Sequence, residues 1–102
     1  MAVVRGSRRR YLVAYDIRDE MRLRRVHKTV KGFGWAMQYS VFICDLDTVE
    51  LLDLKHALAE IVNHRVDSVA FIDLGEPHER GRRCFSFMGA AEPLPTSGPL
   101  VI

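Results

Sequence analysis

No stretch of this sequence approaches the roughly twenty consecutive apolar residues that a membrane-spanning helix requires. No apolar segment of signal-peptide type follows the N-terminal arginines either, so no membrane association is expected and a cytoplasmic location is. Cysteine is scarce: Cys44 and Cys84 are the only two, and neither sits in a CxxC or a Cys/His cluster. Each lies in an apolar, strand-like run, which predicts two reduced, buried thiols rather than a disulfide framework. The histidines, His27, His56, His64 and His78, show no HxxxH or HxH spacing, and this excludes a zinc site of the usual kind. Repeats and low-complexity tracts are also missing.

What is present is enough for one core. A chain of 102 residues with 48% hydrophobic content makes one compact domain and is too short for two. The net charge of +2 is small, but its distribution is uneven. Arg5, Arg8, Arg9 and Arg10 precede the first apolar run, and Arg18, Arg22, Arg24, Arg25, Lys28 and Lys31 follow it. Asp45, Asp47, Glu50, Asp53 and Glu60 occupy the middle third, which suggests a basic surface opposed by an acidic one.

Residues 1–10 read as a loose basic arm, residues 11–89 as the domain, and residues 90–102, with three prolines and no periodicity, as an extended tail. Tyr11 to Ile17 is apolar on both faces and reads as a central strand. Asp19 is the N-cap expected of a helix over 20–31, with Leu23, Val26 and Val30 on one stripe and Gly32 and Gly34 stopping it. On the same wheel Arg24, Arg25, Lys28 and Lys31 fall away from that stripe, with Arg22 at its border. Such a face is solvated by default and binds phosphate when a nucleic acid is the partner.

The run from Trp35 to Leu46 reads as one long strand or a tight hairpin, which periodicity does not separate. Asp47 with Glu50 forms a capping-box start for a second helix ending near Asn63, whose Leu51, Leu54, Leu58, Ile61 and Val62 share one arc. Asp67 to Leu74 is a further strand, Arg80, Arg82 and Arg83 flank a glycine in a basic loop, and Cys84 to Met88 is a candidate last strand. With the hairpin, the order is βαββαβ, the ferredoxin-like α+β arrangement, here with an additional C-terminal strand. Both helices then cover one sheet face. Leu12 and Ala14 on the other face are not polar, which implies a partner such as a second copy.

Asp16 carries the clearest chemical signal, because a carboxylate closing an apolar strand has no role in packing. A hydrogen bond to the following turn, or a salt bridge to an arginine such as Arg22, accounts for it without function. The functional alternative is a divalent-metal site. Mg²⁺ takes one or two protein carboxylates and fills its shell with water and phosphate oxygens, so a twofold axis near Asp16 supplies a second ligand and a metal-activated water suits phosphodiester hydrolysis.

Tyr15-Asp16-Ile17, then Asp19, Arg22, Arg25 and Val26, then Gly34 and Gln38-Tyr-Ser-Val-Phe42, resemble in order and spacing the small CRISPR-associated endonuclease family known as "Cas two". The resemblance covers residues 11–74. Two features depart from its pattern: Ala36 where arginine is common, and the long basic preamble. The resemblance implies a ferredoxin-like fold in a homodimer whose sheets face each other, and a pair of Asp16 carboxylates able to hold Mg²⁺. It places Arg22, Arg25 and Phe42 in the active-site cleft beside Asp16. It further implies a role in spacer acquisition, in which the dimer bridges two dimers of the integrase "Cas one", holds double-stranded DNA, and in some members hydrolyses RNA or DNA. The DNA-binding surface expected from the residues is Arg24, Arg25, Lys28 and Lys31 with Arg82. A non-catalytic DNA-binding scaffold with the same partners is the alternative. A generic RNA-recognition sheet is a poorer match, since Phe85-Ser-Phe87 is too short for the aromatic strand it needs.

Overall fold

The computed structural model describes residues 6–90. Their elements run β1 (Arg9–Asp16), α1 (Glu20–Lys31), β2 (Trp35–Gln38), β3 (Val41–Leu46), α2 (Thr48–Ala59), β4 (Ser68–Gly75) and a single-turn α3 (Arg80–Arg83). The four strands form one antiparallel sheet in the order β2-β3-β1-β4, so the expected βαββαβ arrangement is formed. The apolar run after α1 is the hairpin rather than the long strand, and it turns at Tyr39 and Ser40.

Both long helices start where the sequence supplies a cap. The Asp19 carboxylate accepts from Arg22 N at the head of α1. At α2, Asp47 accepts from Glu50 N while the Glu50 carboxylate accepts from Asp47 N, so two otherwise orphaned donors are satisfied reciprocally. The second helix stops at Ala59, four residues before Asn63, and Ile61 and Val62 pack on the core from the turn that follows.

Opposed residues on antiparallel strands share a face, so the register sorts the sheet into two sides. Val13 opposite Phe42, with Tyr15, Cys44 and Leu46, faces the helices and meets Val26, Val30, Leu54 and Leu58 in the buried core. Each of these apolar side chains contributes roughly 1.5–3 kcal/mol on burial. On the far side Leu12 lies between Ile43 and Ile72, and Ala14 between Val41 and Ala70. Ile72 is 49% exposed there, so an apolar strip of the sheet has no helix over it. A side chain at Gly34 would collide with the Ile43 carbonyl and sit 2.6 Å from Cys44 Sγ, so only glycine lets the chain enter β2 this close to β3.

Four expectations are corrected. The domain starts before Tyr11, because Arg9 and Arg10 belong to β1, and Arg10 is 1% exposed in an ion pair with Asp45. The strand expected from Cys84 to Met88 does not form. Gly81 O accepts from Arg10 Nη1, which turns α3 onto the sheet, and residues 84–90 after it form no helix or strand. Phe85 and Phe87 stack on each other there, with centroids 5.8 Å apart, and Met88 is exposed. Only Cys44 is a buried thiol; burial, aided by the Asp45 charge, pushes it up to about 12 and leaves it inert, whereas Cys84 is exposed. Three of the five middle-third acids do not serve an acidic surface, since Asp45 is consumed by Arg10, and Asp47 and Glu50 by the cap, with Glu50 also held by Arg8 at 2.9 Å; Asp53 and Glu60 are exposed. Residues 1–5 of the expected arm and 91–102 of the expected tail lie outside the described residues.

Candidate functional site

Asp16 ends β1 opposite Ser68 of β4, on the sheet face that carries Leu12 and Ala14. Its side chain is 67% exposed and its ion-pair partner is Arg18, not Arg22, with Arg18 Nη2 3.3 Å from Asp16 Oδ2. Two long exposed side chains in water hold one another weakly, so the carboxylate is accessible to a competing cation or ligand.

Arg22 is committed elsewhere. Its Nε and Nη2 donate to the two oxygens of Asp67 at 2.7 and 3.1 Å, a bidentate fork. The same carboxylate accepts from the backbone N–H of Arg18 and of Asn63, each at 2.8 Å. The Asp67 side chain has no exposed surface, yet it is sealed by these partners near the surface rather than sunk in the core. The Arg22 hydrogen bond, with those backbone N–H groups, holds Asp67 well below the usual carboxylate range and raises Arg22 in return. Asp67 thus ties the start of β4 to the head of α1 and fixes the turn behind Asp16. Nothing in the sequence marked it: its partner is 45 residues away.

Phe42, which the resemblance places in the cleft, is wholly buried on the helix side of β3 and offers a substrate no surface in this chain. It packs 6.2 Å from Tyr15 and meets the edge of His27 at 5.3 Å. Burial, with the neighbouring Tyr39, raises the Tyr15 phenol, whose hydroxyl lies at hydrogen-bond distance, 3.0 Å, from His27 Nδ1.

Arg25, Lys28 and Lys31 are exposed along α1, and Arg24 is exposed in an i,i+4 pair with Glu20 at 3.0 Å. Arg82 is exposed too, but in α3, which packs by Arg10 at the opposite end of β1 from Asp16. The structure therefore gathers the α1 cations and leaves Arg82 apart from them. Arg25 stands with those cations, since Arg24, Lys28 and Lys31 lie within about 120° of it round α1. Among the described residues no group of three or more His, Cys, Asp or Glu side chains converges on a metal position, and no helix is long and apolar enough to cross a membrane.

Comparison with known proteins matches this arrangement. The family model described as CRISPR associated protein Cas2 covers residues 9–81. The CRISPR-associated endoribonuclease Cas2 of Geobacter sulfurreducens is 49% identical over 65 residues, 64% of this chain and 68% of that protein. The protein of the same name from Chlorobaculum tepidum is 34% identical over 96 residues, 89% of this chain and 97% of its own. Among solved structures, Streptococcus pyogenes Cas2 superposes with a TM-score of 0.68 at 35% identity, over 78% of this chain and 99% of that one. With a family match spanning β1 to the first residues of α3, and a sheet and helix layer that agree with solved members, this chain belongs to the Cas2 family of CRISPR-associated proteins.

Proposed function

We propose that this chain acts as a homodimeric, Mg²⁺-dependent phosphodiesterase that binds nucleic acid during CRISPR spacer acquisition and bridges the integrase dimers. The observation that carries it is Asp16: an exposed carboxylate at the end of a central strand, held by a single weak ion pair, on the face of the sheet that neither α1 nor α2 covers. The names of the relatives, CRISPR-associated endoribonucleases, support a nuclease reading. The uncovered strip of Leu12, Ala14, Ala70 and Ile72 supports a second copy docking sheet to sheet, which brings a second Asp16 toward the first.

At the end of β1 Asp16 offers one exposed carboxylate, and that suits Mg²⁺, which keeps most of its water and takes one or two carboxylates. When bound, the ion supplies an activated water and neutralises charge on a phosphate. The chain's own residues do the rest. Asp16 would hold the ion, Arg18 would be released from Asp16 to face the phosphate, and Arg25, Lys28 and Lys31 would attract the backbone of the strand. Arg22 acts indirectly, by holding the turn behind Asp16 through Asp67.

Asp16→Asn keeps the shape and part of the hydrogen bonding while removing the charge. The expected outcome is a dimer that still binds double-stranded DNA but whose Mg²⁺-dependent cleavage of RNA or DNA falls on the order of a hundredfold or more. Equal cleavage by the variant sinks the catalytic assignment. The Arg18–Asp16 pair also favours a second reading, in which the carboxylate is already neutralised and the dimer is a DNA-binding scaffold. Absence of cleavage by the unaltered protein in Mg²⁺ and Mn²⁺, with DNA binding intact, selects it.

A further inference from the structure

A cleft of about 320 Å³ opens where the last residue of α1, the start of β2 and the first turn of α2 come together. Arg8, Lys31, Phe33, Trp35, Asp45 and Glu50 line it. Asp45 is opposite Arg10 in the sheet, and Arg10 is six residues of extended chain, about 20 Å, from Asp16 along β1. The cleft is therefore a separate place from the site described above. Its volume is near the lower bound for ligand pockets, so it admits one small molecule.

The charges in it do not cancel. Asp45 is answered by the two Arg10 hydrogen bonds, and Glu50 by Arg8 at 2.9 Å and by the Asp47 N–H. Lys31 is exposed and has no ion-pair partner among the described residues, which leaves one positive charge in surplus. Hydrogen-bond donors are in surplus too. Arg8 engages its Nη1 and Nη2 on Asp45 O and Glu50 and leaves Nε–H unused, and the Trp35 indole N–H has no acceptor among the described residues. Spare donors on three side chains thus line one concavity whose other walls include two half-buried aromatic rings, Phe33 and Trp35.

A ligand that answers both features carries an anion with several acceptor oxygens and, close to it, a flat ring. A nucleotide has both in one small molecule. An acidic side chain of a peptide lacks the ring, and a bare phosphate leaves the aromatic walls unused. We propose that this cleft is a binding site for a free nucleoside monophosphate, with its phosphate on Lys31 and Arg8 and its base against Trp35 and Phe33. The site works without Mg²⁺ and without Asp16, so it stands or falls apart from the reading of Asp16 as a reaction centre.

Trp35 is the only tryptophan in the chain, so its emission reports on the cleft directly. The test titrates the full-length protein, with a chelator present, with adenosine monophosphate, and in parallel with adenosine and with inorganic phosphate. Lys31 also belongs to the cationic face of α1, which is why a free nucleotide rather than a strand is the probe. The expected result is a saturable change in Trp35 emission with adenosine monophosphate, at concentrations roughly tenfold below those at which either half of the molecule acts. Lys31→Ala is expected to weaken binding roughly tenfold, and Lys31→Arg to restore it. The Lys31 side chain ties no element to another, and an unchanged melting curve checks that both variants are folded. Backbone amide shifts in the labelled protein are expected on residues 31–35 and 46–50 and not on residues 16–18. Shifts centred on Asp16, affinity indifferent to Lys31→Ala, equal binding of adenosine or of inorganic phosphate, or a response to a phosphorylated oligonucleotide but not to the free nucleotide overturns the site.

Discussion

The two ends of β1 each carry a charged side chain on the same face of the sheet, and the protein treats them in opposite ways. At the start, Arg10 is 1% exposed and locked to Asp45 by two hydrogen bonds of 2.7 and 2.9 Å, with a third to Gly81 O. At the end, Asp16 is 67% exposed and touches one exposed arginine, Arg18. The first charge is spent on structure: it anchors α3 and ties β1 to β3. The second is left in reserve. A carboxylate earns a functional reading here by having little else to do, and Asp67, four hydrogen bonds deep a short way off, shows what a fully employed carboxylate looks like.

Breaking the locked end is expected to have the largest effect. Asp45→Asn leaves the Arg10 guanidinium buried without its counter-charge, and urea unfolding should report a loss of about 3–5 kcal/mol. The double replacement Arg10→Met with Asp45→Leu should recover most of that loss, because the cost lies in the unpaired charge rather than in the absent pair. A single variant as stable as the parent would show that Arg10 reaches water and that the contrast between the two ends is false.

Asp67 comes next, and pH exposes it. Its folded-state pKa lies below the unfolded value of about 3.9, so the stability it contributes is present above about pH 4 and is lost as pH falls through its folded pKa. Asp67→Asn should therefore lower the urea midpoint at neutral pH, and lower it progressively less as pH falls below about 4. A constant difference between the two proteins across that range would mean that Asp67 is not charged in the fold.

How far the sequence anticipated this division depends on distance along the chain. Caps were legible because they act within three residues: Asp19, and Asp47 with Glu50, announce their helices directly. Asp16 was legible because it breaks an apolar strand, and the Gln38 to Phe42 motif carried the family. The hairpin was not separable from a long strand, since Tyr39 and Ser40 are not the Asn-Gly type of turn. Arg10 read as part of a loose basic arm because its partner lies 35 residues on, and the pairing of Arg22 with Asp67, 45 residues on, was equally out of reach. Phe42 sits in the motif and is buried on the helix side of the sheet, a matter of strand register that motif spacing does not encode. The missing last strand has the same origin: the Cys84 to Met88 pattern suits a strand, while the Arg10 contact to Gly81 sends the chain elsewhere.

A smaller effect is expected at the α2 cap, where Asp47→Ala removes one side-chain acceptor from the helix start and should cost about 1 kcal/mol by the same urea assay. The smallest belongs to Asp16 itself. Asp16→Asn should change unfolding stability by less than about 0.5 kcal/mol, as an exposed position outside any packed network does. A drop comparable to that of Asp45→Asn would make Asp16 a structural residue.

The most direct test of Asp16 as a carboxylate in reserve is a titration of the isotope-labelled protein with Mg²⁺, read on its backbone amide resonances. The expected result is a set of saturable shifts centred on Asp16, Ile17 and Arg18, absent from Asp16→Asn, with the amides of Arg10 and Asp45 unmoved. Shifts that persist in the variant, or that fail to appear at Asp16 in the parent at millimolar Mg²⁺, contradict it.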